Sequence, residues 1–235
     1  MTSDVTEDLW LFGYGSLIWK PPPHFDLRVP GHVEGYVRRF WQASEDHRGT
    51  PEAPGRVVTL IDRSHWETLT DQHSDAPPTT WGAAYRIPGP HVAEVREYLD
   101  IREINGYSIQ YTPFHVSEAF NATHDLPAPI NCLVYVGLPD NPQFMGPQDL
   151  DSLAEHIVNS RGPSGENKDY LYGLDQALVE LGEGSEDEHV HDLARRCREL
   201  EGRTSKDDDN QTETSIVGSE LKRLGSTDEQ EEIEK

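Results

Sequence analysis

The chain alternates between short apolar runs typical of β-strands and longer segments with helical spacing. Its first apolar run, "LWLFGYGSLI", has no helical periodicity, so it predicts a buried strand from Leu9 to Gly13 that ends in a turn at Tyr14 to Ser16. Further apolar or alternating runs predict strands at 55–62, 81–87, 107–116 and 130–138.

Helical spacing of apolar residues appears in three segments. Val92, Val95 and Leu99 recur at helical spacing before Asn105-Gly106, which supplies a stop signal. Two more helices are predicted at 147–159 and 167–181. Because one helix falls between strands without regular βαβ alternation, the pattern favours an α+β fold with a strongly curved or barrel-like sheet.

Composition divides the chain into two parts. Residues 183–235 are rich in acids and poor in large apolar side chains, a composition that cannot bury enough surface to offset chain entropy. We therefore expect one folded domain over residues 1–182 and a largely disordered acidic tail over 183–235, with a possible short amphipathic helix at 190–200.

The overall charge and the cysteines exclude several classes of protein. A formal net charge of −23 disfavours binding to nucleic acid or to anionic lipid. No run of 18 apolar residues occurs, and the acidic start "MTSDVTEDLW" is unlike a secretory signal. Two isolated cysteines, Cys132 and Cys197, indicate neither a disulfide framework nor a zinc knuckle. These features predict a cytoplasmic protein without nucleic-acid or membrane partners.

The glycine turn after the first strand does not fit the common nucleotide or nucleophile motifs. Ile18 stands where a dinucleotide fingerprint needs its third glycine, and Tyr14 stands where G-x-S-x-G needs its first. Two interpretations stay open. Backbone N–H groups of Gly15, Ser16 and Leu17 bind a carboxylate or an oxyanion, or the turn binds nothing.

Three other stretches also allow a functional and a structural interpretation. Glu103, near the end of the first predicted helix, is a general base with a raised pKa or a partner in an ion pair. Asn167, in "GPSGENKDY", helps to hold an anion or caps a helix. The four arginines of residues 38–60 form a cationic wall for an anionic substrate or a set of salt bridges.

The histidines predict no metal site. His24, His47, His65, His73 and His91 are scattered along the chain, and the H-E-x-x-H motif is absent.

Four segments, "FGYGSLIWKPP", "RRFWQASEDHRGTPEAPGRVVTLI", "VREYLDIREINGY" and "SRGPSGENKDYL", together resemble the ChaC-like family of glutathione-specific γ-glutamylcyclotransferases. They occur in the same order as in that family and span residues 9–181. The resemblance implies a small barrel-like α+β fold with flanking helices. It also implies an enzyme that needs no cofactor and converts glutathione to 5-oxoproline and cysteinylglycine.

The resemblance also assigns residues to roles. The family's catalytic glutamate falls on Glu103, and its substrate-binding turn falls on the segment Phe12, Gly13, Tyr14, Gly15, Ser16 and Leu17. Arg39, Arg48, Arg56, Tyr107 and Asn167 are further candidates for substrate binding. Two alternatives remain open: a cyclotransferase acting on other γ-glutamyl amines or amino acids, and a non-catalytic γ-glutamyl-binding module. The oligomeric state is also open.

Overall fold

A closed five-stranded barrel forms the centre of the computed structural model, which describes residues 7–102 and 107–203. The strand order around the barrel is β1-β5-β2-β6-β7, and the β1–β7 pair that closes it is parallel, whereas the other pairs are antiparallel. The strands are β1 (Leu9–Gly13), β2 (Leu27–Glu34), β5 (Thr79–Ile87), β6 (Tyr107–Val116) and β7 (Ile130–Gly137).

Two antiparallel hairpins lie outside the barrel. The larger pairs β3 (Tyr36–Ser44) with β4 (Gly55–Asp62), and its register shifts between Arg39 and Gln42. The smaller pairs β8 (Arg161–Gly162) with β9 (Gly165–Glu166).

Helices flank the barrel and the larger hairpin. In chain order they are α1 (Arg63–Trp66), α2 (Val92–Arg102), α3 (Glu118–His124), α4 (Leu150–Asn159), α5 (Asn167–Val179) and α6 (residues 188–203). Single 3₁₀ turns occur at Ser16–Ile18 and Gly89–His91. In the part of the chain that the structure describes, none of the helices has the length and hydrophobicity needed to span a bilayer.

The predicted α+β class with a barrel-like sheet is therefore confirmed. All five predicted strands are present, and those at 9–13, 55–62 and 107–116 have the predicted bounds. Strands β2 and β3 and the short helices α1 and α3 were not predicted. Strand side chains with essentially no exposed surface form much of the main hydrophobic core, among them Leu11, Val29, Tyr85, Phe114 and Leu133.

Helix α6 places the end of the packed region later than the sequence predicted. Val190, Leu193, Ala194 and Cys197 on one face of α6 are fully buried in the main core. The sequence placed a possible short helix at 190–200 within the tail, and α6 covers that segment; it docks on the core because one apolar stripe suffices to bury an otherwise charged helix. Residues 204–235 of the expected tail lie outside the described residues.

Six polar side chains fasten α6 to the rest of the fold, and we call them the α6 anchor cluster: Arg38, Arg39, His73, Asp187, His189 and Asp192. Asp187 accepts a hydrogen bond from the Val190 N–H at the start of α6, and its other oxygen pairs with the buried guanidinium of Arg38 at 3.1 Å. Arg39 pairs with Asp71 at 2.5 Å. These contacts replace the water that the buried charges lose.

The two histidines of this cluster form a chain of fixed hydrogen bonds. The Phe40 N–H donates to His189 Nε2 at 3.1 Å, so the proton of that ring sits on Nδ1. The Nδ1–H group of His189 donates to His73 Nδ1 at 3.0 Å. His73 Nε2 in turn donates to the Asp192 carboxylate at 3.2 Å. Burial, followed by the charge of Arg39, lowers the pKa of His189 well below its ordinary value. His189 is therefore a neutral structural residue.

Candidate active site

A cavity of about 480 Å³ opens beside the end of β1. Its walls come from the β1 turn, the β3–β4 hairpin, α2, the starts of β6 and α5, and β7. The lining residues are Phe12, Tyr14, Gly15, Ser16, Leu17, Lys20, Pro21, Gln42, Ala43, Ser44, Asp46, His47, Arg48, Val57, Val58, Tyr98, Tyr107, Tyr135, Gln143, Ser164 and Tyr170.

The turn after β1 needs both of its glycines for steric reasons. A Cβ atom on Gly13 would lie 2.6 Å from the Leu17 Cβ. A Cβ atom on Gly15 would lie 2.9 Å from the Tyr170 hydroxyl and 3.0 Å from a Val58 methyl group. The glycines thus allow the chain to fold back tightly at the cavity wall.

The same turn, a single 3₁₀ turn, lies on the cavity wall. Its internal hydrogen bonds use the carbonyl oxygens of Gly15 and Ser16, which accept from the N–H groups of residues 18–20 at 2.8–3.2 Å. N–H groups at the start of a helical turn have no acceptor within that turn. This backbone pattern is compatible with the first of the two sequence interpretations, in which the turn binds an anionic group.

Five tyrosines give the cavity an amphipathic wall: Tyr14, Tyr98, Tyr107, Tyr135 and Tyr170. Tyr170 is held edge-on by two neighbouring rings, with ring centroids 5.5 Å away for Trp19 and 5.9 Å away for Phe40. Phenolic rings supply apolar contact area together with a hydroxyl that donates or accepts. Such a wall suits a small, polar, flexible substrate.

Arg48 is the one of the four arginines in residues 38–60 that lines the cavity. Its guanidinium donates to the Glu166 carbonyl at 2.8 Å and lies 5.7 Å from the centre of the Tyr170 ring. Burial lowers the pKa of Arg48 from its ordinary value, but an arginine side chain stays charged in proteins. Together with Lys20, it makes part of the wall cationic.

The other predicted arginines and Asn167 have structural contacts. Arg39 belongs to the α6 anchor cluster. Arg56 donates to Gln148 at 3.1 Å and to the carbonyls of residues 54 and 55. Asn167 accepts from the Arg56 N–H at 2.6 Å and donates to the Arg56 carbonyl at 2.7 Å. Asn167 thus ties α5 to β4, and none of the three lines the cavity.

Of the residues that the resemblance assigned to substrate binding, the structure brings Phe12, Tyr14, Gly15, Ser16, Leu17, Arg48 and Tyr107 to this cavity. Gly13 does not line the cavity, but it packs closely against Leu17 within the same turn. Glu103 lies outside the described residues. The described elements on either side of it contribute Tyr98, from α2, and Tyr107, from the first position of β6, to the cavity wall.

Sequence reasoning missed three of the tyrosines, namely Tyr98, Tyr135 and Tyr170. Tyr135 offered a weak signal, because it lies within the apolar run "INCLVYVGL", where a hydroxyl needs a polar neighbour. Tyr98 and Tyr170 lie on helices α2 and α5, and only the tertiary packing of those helices brings their side chains to the cavity.

Known proteins resemble this chain over most of its length. A protein in Schizosaccharomyces pombe named glutathione-specific γ-glutamylcyclotransferase is 46% identical, and the match covers 81% of this chain and 92% of that protein. A human protein named glutathione-specific γ-glutamylcyclotransferase 1 is 38% identical over 77% of this chain and 75% of its own length.

The fold of a solved structure agrees as well. The crystal structure of a γ-glutamyl cyclotransferase specific to glutathione from yeast matches with a TM-score of 0.72 and 37% identity, and covers 82% of this chain and 96% of that chain. The family model described as ChaC-like protein matches residues 9–200, a span that includes both the cavity and most of α6. This chain belongs to the ChaC-like family.

Proposed function

We propose that this protein is a glutathione-specific γ-glutamylcyclotransferase, which converts glutathione to 5-oxoproline and cysteinylglycine. The observation that carries this proposal is the tyrosine-walled cavity at the Tyr14–Leu17 turn, found in a chain whose relatives carry that name.

In the proposed reaction, the substrate supplies its own nucleophile. The α-amine of the γ-glutamyl group attacks the γ-carbonyl carbon, and a new C–N bond closes a five-membered lactam. The bond between that carbon and the cysteine nitrogen then breaks, which releases cysteinylglycine. Proximity replaces an external attacking group, so the principal task of the cavity is to hold the γ-glutamyl chain in its ring-closing conformation.

Two proton movements accompany ring closure. The α-amine arrives as an ammonium ion and must lose a proton before it attacks, while the departing cysteine nitrogen must gain one. We assign both transfers to Glu103, which acts first as the general base and then as the general acid. Glu103 directly follows α2, whose Tyr98 lines the cavity, and lies four residues before Tyr107, which also lines it.

The Tyr14–Leu17 turn is assigned to the negative charge of the substrate. Its backbone N–H groups bind the α-carboxylate or the oxyanion that forms on the γ-carbonyl oxygen during ring closure. A preorganised donor of this kind contributes roughly 3 kcal/mol to stabilisation of the transition state. The close packing of Gly15 against Tyr170 and Val58 supports this role, because it fixes the position of the turn.

Arg48 is assigned to the glycyl carboxylate of the leaving group. It is cationic, lines the cavity and is held by the Glu166 carbonyl and the Tyr170 ring. Arg39 and Arg56 receive no substrate role here, because their contacts tie together parts of the fold.

We also propose that the protein acts in the cytoplasm. Cys132 and Cys197 are both free and buried, which is compatible with a reducing compartment. Cell fractionation with an antibody against the protein tests this location.

The function is tested by measuring 5-oxoproline released from glutathione, γ-glutamylalanine and γ-glutamyl-lysine by the purified protein. The proposal expects release from glutathione and at least about tenfold lower kcat/KM for the other two, equivalent to about 1.4 kcal/mol of discrimination. Comparable release from all three would indicate a broader cyclotransferase. Binding of glutathione without 5-oxoproline would indicate a non-catalytic module.

A further inference from the structure

A group of three metal-ligating side chains lies outside the cavity, at the start of α2. Among the side chains that the structure describes, His24, His91 and Glu94 bring one ligand atom each to within 4.8 Å of one another. The prediction of no metal site rested on the scattered histidines. It missed this group because His24 and His91 are far apart in sequence and become neighbours only in the fold.

The three side chains lie against one another in the fold. The imidazole rings of His24 and His91 are stacked with centroids 4.3 Å apart and an angle of 1° between their planes. The His24 Nε2 atom lies 3.0 Å from a Glu94 carboxylate oxygen. A zinc ion with bonds of about 2.0–2.2 Å holds its ligand atoms roughly 3.4 Å apart. Coordination of one ion therefore needs rotations that tilt the two rings out of their stack and bring the three ligand atoms from within 4.8 Å to about that separation.

We propose that His24, His91 and Glu94 bind a divalent first-row transition-metal ion, with Zn²⁺ as its representative. Two imidazoles and one carboxylate suit zinc and its neighbours, whereas calcium and magnesium prefer oxygen ligands throughout. The net charge of −23 favours cations near the protein surface. Glu94 and His24 are partly exposed, with side-chain accessibilities of 65% and 37%, so an ion reaches the site from solvent.

The bound ion would join two segments at the rim of the cavity. His24 follows the three prolines that begin with Pro21, which lines the cavity. Glu94 lies four residues before Tyr98 on α2, and residues at that spacing share a helix face. The site is thus about one helical turn from the cavity wall. The metal stabilises the contact between the proline segment and α2, whatever reaction the cavity performs.

Isothermal titration of the untagged full-length protein with ZnCl₂ tests the proposal. We expect one ion per chain in the wild type. H91N and E94Q should each weaken the affinity by at least about tenfold, since even changes around a metal ligand commonly cost 10- to 100-fold. Titration with Co²⁺, followed by the visible absorption of the bound ion, should rank the affinities of the wild type, H91N and E94Q in the same order.

Three further variants separate loss of a ligand from loss of fold. His24 has a φ of 60°, a conformation in which glycine is tolerated, so H24G removes the ligand while the backbone keeps its path. H124N changes an exposed histidine elsewhere. H115N removes one ring of a second stacked histidine pair, His32 and His115, whose centroids are 5.3 Å apart. Both controls should bind zinc like the wild type.

Melting temperatures provide a second readout. Zinc should raise the melting temperature of the wild type, H124N and H115N, because a ligand that binds only the folded state stabilises it. It should not raise that of H24G or H91N. Zinc binding in H24G and H91N equal to wild type in affinity and stoichiometry would overturn the proposal, as would an absence of zinc binding by the wild type.

Discussion

The cavity and the α6 anchor cluster both take arginines from residues 38–60, yet they use these arginines differently. In the anchor cluster, Arg38 forms an ion pair with Asp187. His189 is hydrogen-bonded to the His73 side chain and to the backbone N–H of Phe40. In the cavity, Arg48 and the tyrosines border an open volume of about 480 Å³.

This difference shows that a buried, perturbed side chain is not by itself evidence of catalysis. His189 is fully buried and has a strongly lowered pKa, both of which are common features of catalytic histidines. Its neighbours nevertheless account for both ring nitrogens. The distinguishing feature is whether the side chains line a space that a substrate can enter.

The largest expected effect concerns the anchor cluster and tests whether α6 is part of the folded unit. A chain that ends after Gly182 lacks Val190, Leu193, Ala194 and Cys197, which are completely buried. Losing these contacts costs on the order of 6 kcal/mol, which is comparable to the whole stability of a typical domain. We expect this chain to fail to fold, as judged by circular dichroism and chemical denaturation.

A chain that ends after Arg203 is the matched control for that truncation. It retains α6 and the α6 anchor cluster, so its free energy of unfolding and its 5-oxoproline release should equal those of the full chain. Equal behaviour of both truncated chains would contradict the structural role given to α6.

The next largest effect concerns the proposed catalytic residue. Glu103→Gln retains the size of the side chain but removes its ability to accept a proton, so kcat for 5-oxoproline release should fall by about 10²- to 10⁴-fold. The free energy of unfolding should change little. Glu97→Gln, at an exposed position of α2, is the control and should retain full activity. Near-normal turnover by the Glu103 variant would remove the basis for the proposed proton transfers.

Gly15→Ala tests whether the Tyr14–Leu17 turn of the cavity contributes to activity. The added Cβ would lie 2.9 Å from the Tyr170 hydroxyl and 3.0 Å from Val58. Displacement of the turn should reduce kcat/KM by about tenfold, equivalent to about 1.4 kcal/mol. Gly202→Ala places its Cβ in open space and is the control. Steady-state kinetics with glutathione measure the effect. Unchanged kinetics for Gly15→Ala would show that the turn does not bind the substrate.

The smallest effect is a pH dependence of stability that arises in the anchor cluster. His189 stays neutral in the folded protein, while the unfolded chain gains a proton on this residue below its ordinary pKa of 6.5. The free energy of unfolding should therefore decrease as the pH falls from 6.5 toward 5, with a contribution of up to about 1.4 kcal/mol per pH unit.

Chemical denaturation of the wild type and of His189→Phe across that pH range measures this contribution. The variant should be less stable at neutral pH, but its stability should depend less steeply on pH. Substitution of the exposed His124 by asparagine should leave the slope as in the wild type. An identical slope in His189→Phe and the wild type would show that His189 becomes protonated in the folded state.

The central strands were predictable from the sequence because their apolar residues form continuous runs, as in residues 130–137 of β7. Strand β2 was missed because Pro30 and Gly31 interrupt its pattern, although both residues pair within the barrel. Strand β3 was missed because two arginines, Arg38 and Arg39, are buried along it. Both strands depend on tertiary contacts that local patterns do not record.

The sequence predicted the site residues that form one local motif, but it could not predict the residues that only tertiary packing brings to the cavity. The Tyr14–Leu17 turn has a local signature in its glycines, and it lines the cavity as its motif suggested. The roles of Arg39, Arg48 and Arg56 could not be separated by sequence, because all three occur in one basic stretch. The partners that distinguish the three arginines lie 32 to 118 positions away, such as Asp71 for Arg39 and Glu166 for Arg48.

The most direct test of the central claim is a crystal structure of the Glu103→Gln variant with glutathione. The proposal predicts the γ-glutamyl group in the tyrosine-walled cavity, with its α-carboxylate or γ-carbonyl oxygen within about 3 Å of the backbone N–H groups of residues 15–17. Glutathione bound elsewhere, or bound in the cavity with its γ-glutamyl group directed away from this turn, would contradict the proposal.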